Sequence, residues 1–320
     1  TGEQGVRDAR EMTKLAGELL RIPAKQVLIA ATGVIGVPLP MDKIRGALPK
    51  LVKALSPQGG RAAAEAIMTT DTRPKEAALR VEVKGRPITI GGMAKGVGML
   101  EPHLATMFCF ITTDAVIAGE ALRGALRRAV EGSLNRITVD GDQSTSDTVA
   151  ILANGLAENA PIDTGGRGFM PFLRGLAALT SKLARMLVAD GEGATKLVTV
   201  TVRGAATRRD ALVAARSVGN SPLVKAAING GDPNWGRLMM ALGKSSARID
   251  QHRVGISFND EALVEHGMLK EGARLDRIRQ IMAGTEYGIT IDLGLGRAED
   301  RVFTCDLSEE YVRINGKYTT

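Results

Sequence analysis

The stretch from Gly91 to Phe110, Gly-Gly-Met-Ala-Lys-Gly-Val-Gly-Met-Leu-Glu-Pro-His-Leu-Ala-Thr-Met-Phe-Cys-Phe, constrains this chain more than any other. Its four glycines permit a tight backbone path, Pro102 stiffens the approach, and Thr106 stands directly before the apolar run Met107 to Ile111. A small residue, a hydroxyl nucleophile and a buried strand, in that order, suit a self-cleaving chain. With the Ala105–Thr106 bond broken, Thr106 gains an α-amine of pKa about 8 that can take the proton of its own hydroxyl. Thr1, by contrast, leads into a polar, glycine-flanked helix start. The opening Thr1-Gly2-Glu3-Gln4-Gly5 carries no initiator Met, and the expectation is a processed chain or part of a longer one.

Composition narrows the class. At 320 residues a large domain plus a second, or two interlocked ones, is expected. No run approaches the roughly 20 apolar residues of a membrane helix, so no membrane partner is predicted. The 42 basic and 35 acidic residues leave +7, but 3% aromatics and no Arg/Lys block argue against a nucleic-acid surface. Cys109 and Cys305 sit in strand-like contexts outside any ligand spacing and are read as buried free thiols of a reducing, cytoplasmic compartment. His103, His252 and His266 are scattered, and no metal site is predicted.

Along the chain, Val6, Met12, Leu15, Leu19 and Leu20 share one face and predict a helix over 6–21. Val27 to Ala31 reads as a buried strand ending at Thr32-Gly33, a pair that is either a turn or an oxyanion-binding hydroxyl and amide. Ile44, Leu48, Leu51, Val52 and Leu55 mark a second helix that Pro49 should bend or shorten, and 61–68 a third. Thr69-Thr70-Asp71-Thr72-Arg73-Pro74-Lys75 is a polar loop or a ligand cluster. Alternation over 78–90 around Lys84-Gly85-Arg86 predicts a β-hairpin. Beyond Thr106 come a strand to Thr113, a helix striped by Leu122, Leu126 and Val130, and a strand at 136–139. Asp140, Asp142 and Asp147 lack EF-hand spacing and read as a helix cap and turn, with Mg²⁺ or Ca²⁺ as the alternative.

Residues 155–169 read as a loop, 170–189 as a long helix, 197–202 as a strand and 208–217 as a helix. Glu192, between Gly191 and Gly193, is a solvated turn residue or a carboxylate reaching an amine or Thr106. In the irregular segment 230–237, Trp235 is expected to pack on a neighbour. Strands near 253–258, 287–293, 301–305 and 311–315, with a helix near 272–283, form an α+β portion that closes the fold. The Rossmann, P-loop and nucleophile-elbow signatures do not occur.

These residues resemble the bifunctional glutamate N-acetyltransferase/ornithine acetyltransferase family of arginine biosynthesis. The matching motifs are Thr1 to Gly5, Ala31-Thr-Gly-Val-Ile-Gly36, Ala66-Ile-Met-Thr-Thr-Asp-Thr72, residues 91–114, Gly193-Ala-Thr-Lys196, Gly231-Asp-Pro-Asn-Trp-Gly-Arg237, and Tyr311-Val-Arg-Ile-Asn315 with Thr320. They occur in family order from end to end. Members carry a further segment ahead of the first motif, so the first part is expected to be truncated. The resemblance implies an α/β (α+β) fold of layered sheets with flanking helices, N-terminal-nucleophile-like, with a smaller C-terminal α+β portion. It implies cleavage after Ala105 into an α chain, 1–105, and a β chain, 106–320, assembled as α2β2. Thr106 is then the nucleophile, and Thr32 and Gly33 the oxyanion hole. Thr72, Lys95, Thr106, Glu192, Asn315 and Thr320 match substrate-binding positions, with Thr69 and Thr70 competing for the place of Thr72. The implied reaction moves acetyl from N-acetylornithine to glutamate without a cofactor, acetyl-CoA being a possible co-substrate. Other readings are an N-terminal-nucleophile aminopeptidase or amidase, a non-catalytic basic binding module and a plain α/β domain.

Overall fold

The computed structural model describes residues 2–101 and 107–317. The chain opens with helices α1 (Gly2–Leu20), α2 (Met41–Lys53) and α3 (Gly60–Ala66), where the apolar stripes predict them. Arg45 of α2 donates to both carboxylate oxygens of Glu11 in α1, at 2.6 and 3.1 Å, and Pro49 is accommodated within α2. Residues 27–31 depart from expectation: they pair with no strand among the described residues, and Leu28 is 68% exposed. An apolar run becomes a strand only where a neighbour takes up its backbone N–H and C=O groups.

The polar alternation around Lys84-Gly85 folds as a hairpin of β1 (Lys75–Val83) and β2 (Arg86–Lys95). β2 pairs antiparallel with β3 (Phe108–Thr113), from Ile90 opposite Thr113 to Lys95 opposite Phe108. Next in chain come α4 (Gly119–Glu131) and β4 (Thr148–Ala153), which pairs parallel with β3 and completes a sheet of order β1-β2-β3-β4. Helix α5 (Phe169–Ala189) lies on β1 and β2, burying Leu176, Leu179, Leu183 and Leu187. α4 turns Ala121, Ala125 and Ala129 into the core, whereas Leu122 and Leu126 of the expected stripe are only partly buried. Small side chains let two helices approach closely.

The second sheet has order β10-β5-β9-β6-β7-β8. Its first member in the chain is β5 (Leu197–Ala205), followed by α6 (Arg208–Gly219), α7 (Pro222–Gly230) and α8 (Trp235–Gly243). Then come β6 (Gly255–Phe258), β7 (Glu261–Glu265), β8 (Met268–Leu269), α9 (Leu275–Met282), β9 (Glu286–Asp292) and β10 (Ala298–Cys305). Val198, Val200 and Val202 point into the core shared with α6, α8 and α9; Leu197 and Phe303 join the core around α5. The period-2 alternation of β5 thus serves two cores at once.

Two further expectations are corrected. Leu134–Arg136 is a 3₁₀ turn and Ile137 makes a single bridge to Phe303, so 136–139 is no strand. Residues 311–315 belong to helix α10 (Glu309–Asn315). Its acidic first turn, Glu309-Glu310, suits a helix N-terminus, Arg313 pairs with Glu310 one turn on, and Val312 at 66% exposure has no core to face as a strand would.

The close approach of α5 to the first sheet depends on Gly175. A Cβ there would stand 2.3 Å from Val81 Cγ1, on a β-branched side chain with little freedom to move. Gly175→Ala should therefore lower the unfolding free energy by about 1–3 kcal/mol in urea titration, the usual penalty of overpacking.

Candidate active site

A cavity of about 230 Å³ opens where β2 ends. Its walls are Thr32 to Ile35, Thr69 and Thr70, Lys95 to Met99, Ser144 to Ser146, Glu192 and Asn315. Residues 283 positions apart in sequence, from Thr32 to Asn315, thus meet at one place.

The strand pairing delivers Lys95. Opposite Phe108, it lays its ammonium 5.2 Å from that ring's centroid and is 2% exposed. Burial lowers its pKa; the Asp71 and Asp147 carboxylates pull the other way, and Lys75 adds to the lowering.

Asp71 shapes the polar loop, accepting the Thr69 amide at 3.2 Å and the Gly96 amide at 3.2 Å. Thr69 and Thr70 are left on the cavity wall. Thr72 is not on it: its amide, at 3.0 Å, and its hydroxyl both donate to Asp190.

Glu192 is held by its amide, which donates to Val97 O at 2.8 Å, and by its carboxylate, which accepts Asn315 Nδ2 at 2.8 Å. At 8% exposure it is no solvated turn residue. A Cβ at position 98 would stand 2.4 Å from Glu192 Oε2 and displace that carboxylate. Asn315 arrives on α10, which docks through the Ser308 hydroxyl donating to Gly193 O at 2.6 Å and the Tyr311 hydroxyl donating to Asp140 at 3.3 Å.

The acidic stretch 140–148 caps no helix, since it leads into β4, and acts instead as two backbone clamps. Asp140 accepts the amides of Met99 and Leu100 at 2.6 and 2.8 Å, and Asp147 Oδ1 accepts that of Met107 at 2.6 Å. The two carboxylates bracket the segment that carries Thr106. Asp147 Oδ2 has no hydrogen-bond partner among the described residues, and burial pushes this carboxyl up to about 7 against the opposing pull of the Met107 amide and Lys95. Next to it, the Ser146 hydroxyl donates to Thr32 Oγ1 at 3.2 Å, fixing the Thr32-Gly33 turn at the cavity.

Of the residues singled out from sequence, the structure brings together Thr32, Gly33, Lys95, Glu192 and Asn315. Ala105, Thr106 and Thr320 lie outside the described residues. Sequence reasoning missed Ser144 to Ser146 as a wall, and Asp71, Asp147 and Asp190 as anchors; a run of hydroxyls beside an isolated acid was the available signal. Two quoted motifs prove structural. The amides of Thr195 and Lys196 donate to Asp306 at 2.8 and 2.9 Å, and Asn234 caps α8 by accepting the Arg237 amide. Trp235 packs against the second core as expected. Cys109 and Cys305 are buried free thiols, the former pushed up to about 12 by burial.

The raised Asp147 pKa has a consequence for stability. The folded state holds the carboxyl's proton up to about pH 7, whereas the unfolded chain releases it near pH 4. Stability from this group is thus present at acid pH and lost as pH rises through 7. Asp147→Asn, which cannot ionise, should raise the urea midpoint relative to the parent at pH 8 more than at pH 4.

The ArgJ family model matches residues 1–320. The arginine biosynthesis bifunctional protein ArgJ of Symbiobacterium thermophilum is 50% identical over 322 residues, covering 100% of this chain and 79% of that protein. The glutamate N-acetyltransferase of Methanocaldococcus jannaschii is 44% identical, covering 99% and 81%. The crystal structure of the arginine biosynthesis bifunctional protein argJ from Bacillus halodurans superposes with a TM-score of 0.63 at 37% identity, covering 65% of this chain and 98% of that one. The expected layered sheets with flanking helices are present as two sheets, and the chain belongs to the ArgJ family.

Proposed function

We propose that this chain is an acyltransferase of arginine biosynthesis that moves acetyl from N-acetylornithine to glutamate, with acetyl-CoA as an additional donor, after cutting itself between Ala105 and Thr106. The observation that carries the reading is the meeting of Thr32, Gly33, Lys95, Glu192 and Asn315 around one cavity, beside the clamped segment that contains Thr106.

In maturation, the Thr106 hydroxyl attacks the Ala105 carbonyl carbon, the Ala105–Thr106 C–N bond breaks, and the proton passes to the new amine. Water then hydrolyses the ester. The cut leaves an α chain of 1–105 and a β chain of 106–320, which β2 and β3 would still hold in one sheet through the pairing of Ile90–Lys95 with Phe108–Thr113. In turnover, the α-amine takes the hydroxyl proton, Thr106 attacks the acetyl carbonyl, and the hydroxyl of Thr32 with the amide of Gly33 stabilises the tetrahedral oxyanion. Ornithine leaves with a proton, and the acetyl ester passes to the amine of glutamate. Donor and acceptor share an α-amino acid end, so one pocket serves both halves of a ping-pong cycle. Lys95 supplies a positive charge for a carboxylate, and Glu192, oriented by Asn315, a negative one for an ammonium. Thr72 acts from behind the wall, Thr69 and Thr70 on it, and Thr320 completes the site. Among the described residues no helix is long and apolar enough to cross a membrane. We place the enzyme in the cytoplasm as an α2β2 assembly.

Intact mass spectrometry should find two species meeting at Ala105/Thr106, and Thr106→Ala should remain a single chain that forms no acetylglutamate. A cleaved or active Thr106→Ala protein would refute the assignment. Release of acetate without acetylglutamate would identify an amidase instead. Thr32→Val should lower kcat on the order of 100-fold, as loss of an oxyanion donor does.

A further inference from the structure

We infer that Lys75, gripped between Asp71 and Asp190, is a positioning residue for the acetyl-transfer pocket: this buried triad ties together the three backbone stretches that wall it around Lys95 and Glu192. The inference rests on the transferase reading above and assigns work to side chains that do not line the cavity.

Lys75 is the first residue of β1 and is 0% exposed. Its ammonium donates to Asp71 Oδ1 at 2.5 Å and to Asp190 Oδ2. Each carboxylate then reaches backbone. Asp71 accepts the amides of Thr69 and Gly96, on two different walls. Asp190 accepts the amide and hydroxyl of Thr72 and begins the turn Asp190-Gly191-Glu192, whose Glu192 amide closes on Val97 O. Loop 69–72, the end of β2 and the turn after α5 therefore share one ionic centre.

Burying such a set is weak evidence for stability, because desolvating the charges offsets their attraction, and apolar residues of similar volume often do as well. Geometry and charge are what apolar residues would not supply. Two carboxylates face one buried ammonium, and the exposed Arg73 guanidinium stands 3.8 Å from Asp190. The groups acting on Lys95 are Asp71 and Asp147, which favour its charged form, Lys75, which opposes it, and the Phe108 ring. Asp71 thus has two tasks, holding Gly96 in place and keeping the neighbouring Lys95 protonated; Asp190 has only the first kind.

The two tasks separate in kinetics. Asp190→Asn preserves shape and an acceptor for the Thr72 amide while removing the charge that grips Lys75; Asp71→Asn does the same on the other side. Each is purified as the cleaved protein and assayed with N-acetylornithine and glutamate over a range of pH, with the parent alongside. Asp190→Asn should lose on the order of 10- to 100-fold in kcat through misplaced groups, with its alkaline limb unmoved. Asp71→Asn should lose activity and also shift the alkaline limb of kcat/KM down by about one pH unit, because an ammonium deprived of a carboxylate neighbour gives up its proton more readily. Parental kcat in Asp190→Asn, or an unshifted limb in Asp71→Asn, overturns the inference. Should a single variant not fold, the charge-balanced pair Lys75→Met with Asp190→Asn replaces it, and parental kcat and KM in that pair overturn the positioning role. Absence of acetylglutamate with the parent enzyme overturns the transferase reading instead.

Discussion

Backbone hydrogen bonding between β2 and β3 is the constraint from which the site follows. These strands are neighbours in a sheet, yet the chain between them, from Gly96 to Met107, is far longer than a hairpin turn and carries Thr106. Pairing in fixed register sets Lys95 against Phe108 at one end of that loop, and the same register obliges the loop to leave and re-enter the sheet at neighbouring points. A slip by one residue would turn Lys95 out of the cavity to the opposite face. The sheet therefore does for this loop what a covalent crosslink would do, and it does so whether or not the loop is intact.

Around that frame, carboxylates hold the backbone of the loop's approaches while Leu100 and Met107 pack into the first core. Asp71 fixes Gly96, Asp140 fixes Met99 and Leu100, and Asp147 fixes Met107. Glycine-rich backbone has little side chain to pack and much conformational entropy to lose. Short acceptors bonded to the Gly96, Met99, Leu100 and Met107 amides compensate for this. The same groups leave a local field: Lys95 is drawn toward its charged form by two of these acids while burial works against it. Position and charge at the cavity thus have a common source.

Much of the fold was legible from periodicity. The β1–β2 hairpin, α5 and β5 follow from alternation, from a long apolar stripe and from a β-branched run, because each pattern matches the element's own repeat. The misreadings fall where pattern and partner part company. Val27 to Ala31 has strand composition but no strand beside it among the described residues, and Tyr311 to Asn315 alternates yet coils, since its acidic first turn favours a helix and no core lies along it. The helices α7 and α8 and the strands β7 and β8 are short, and short elements are stabilised by what they pack on more than by propensity.

Residue by residue, the sequence determined the chemistry on offer: a threonine before an apolar strand, a lysine at the end of a glycine-rich strand, a glutamate between glycines and an asparagine near the end of the chain. Local rules suffice for that, because they concern neighbours in the chain. Only the tertiary structure decided that Thr32, Lys95, Glu192 and Asn315 share a cavity, that Thr69 and Thr70 rather than Thr72 line it, and that Asp71, Lys75 and Asp190 stand behind it. Those relations join residues up to 283 positions apart, and nothing short of the packed sheets and helices specifies which distant groups come within hydrogen-bonding reach.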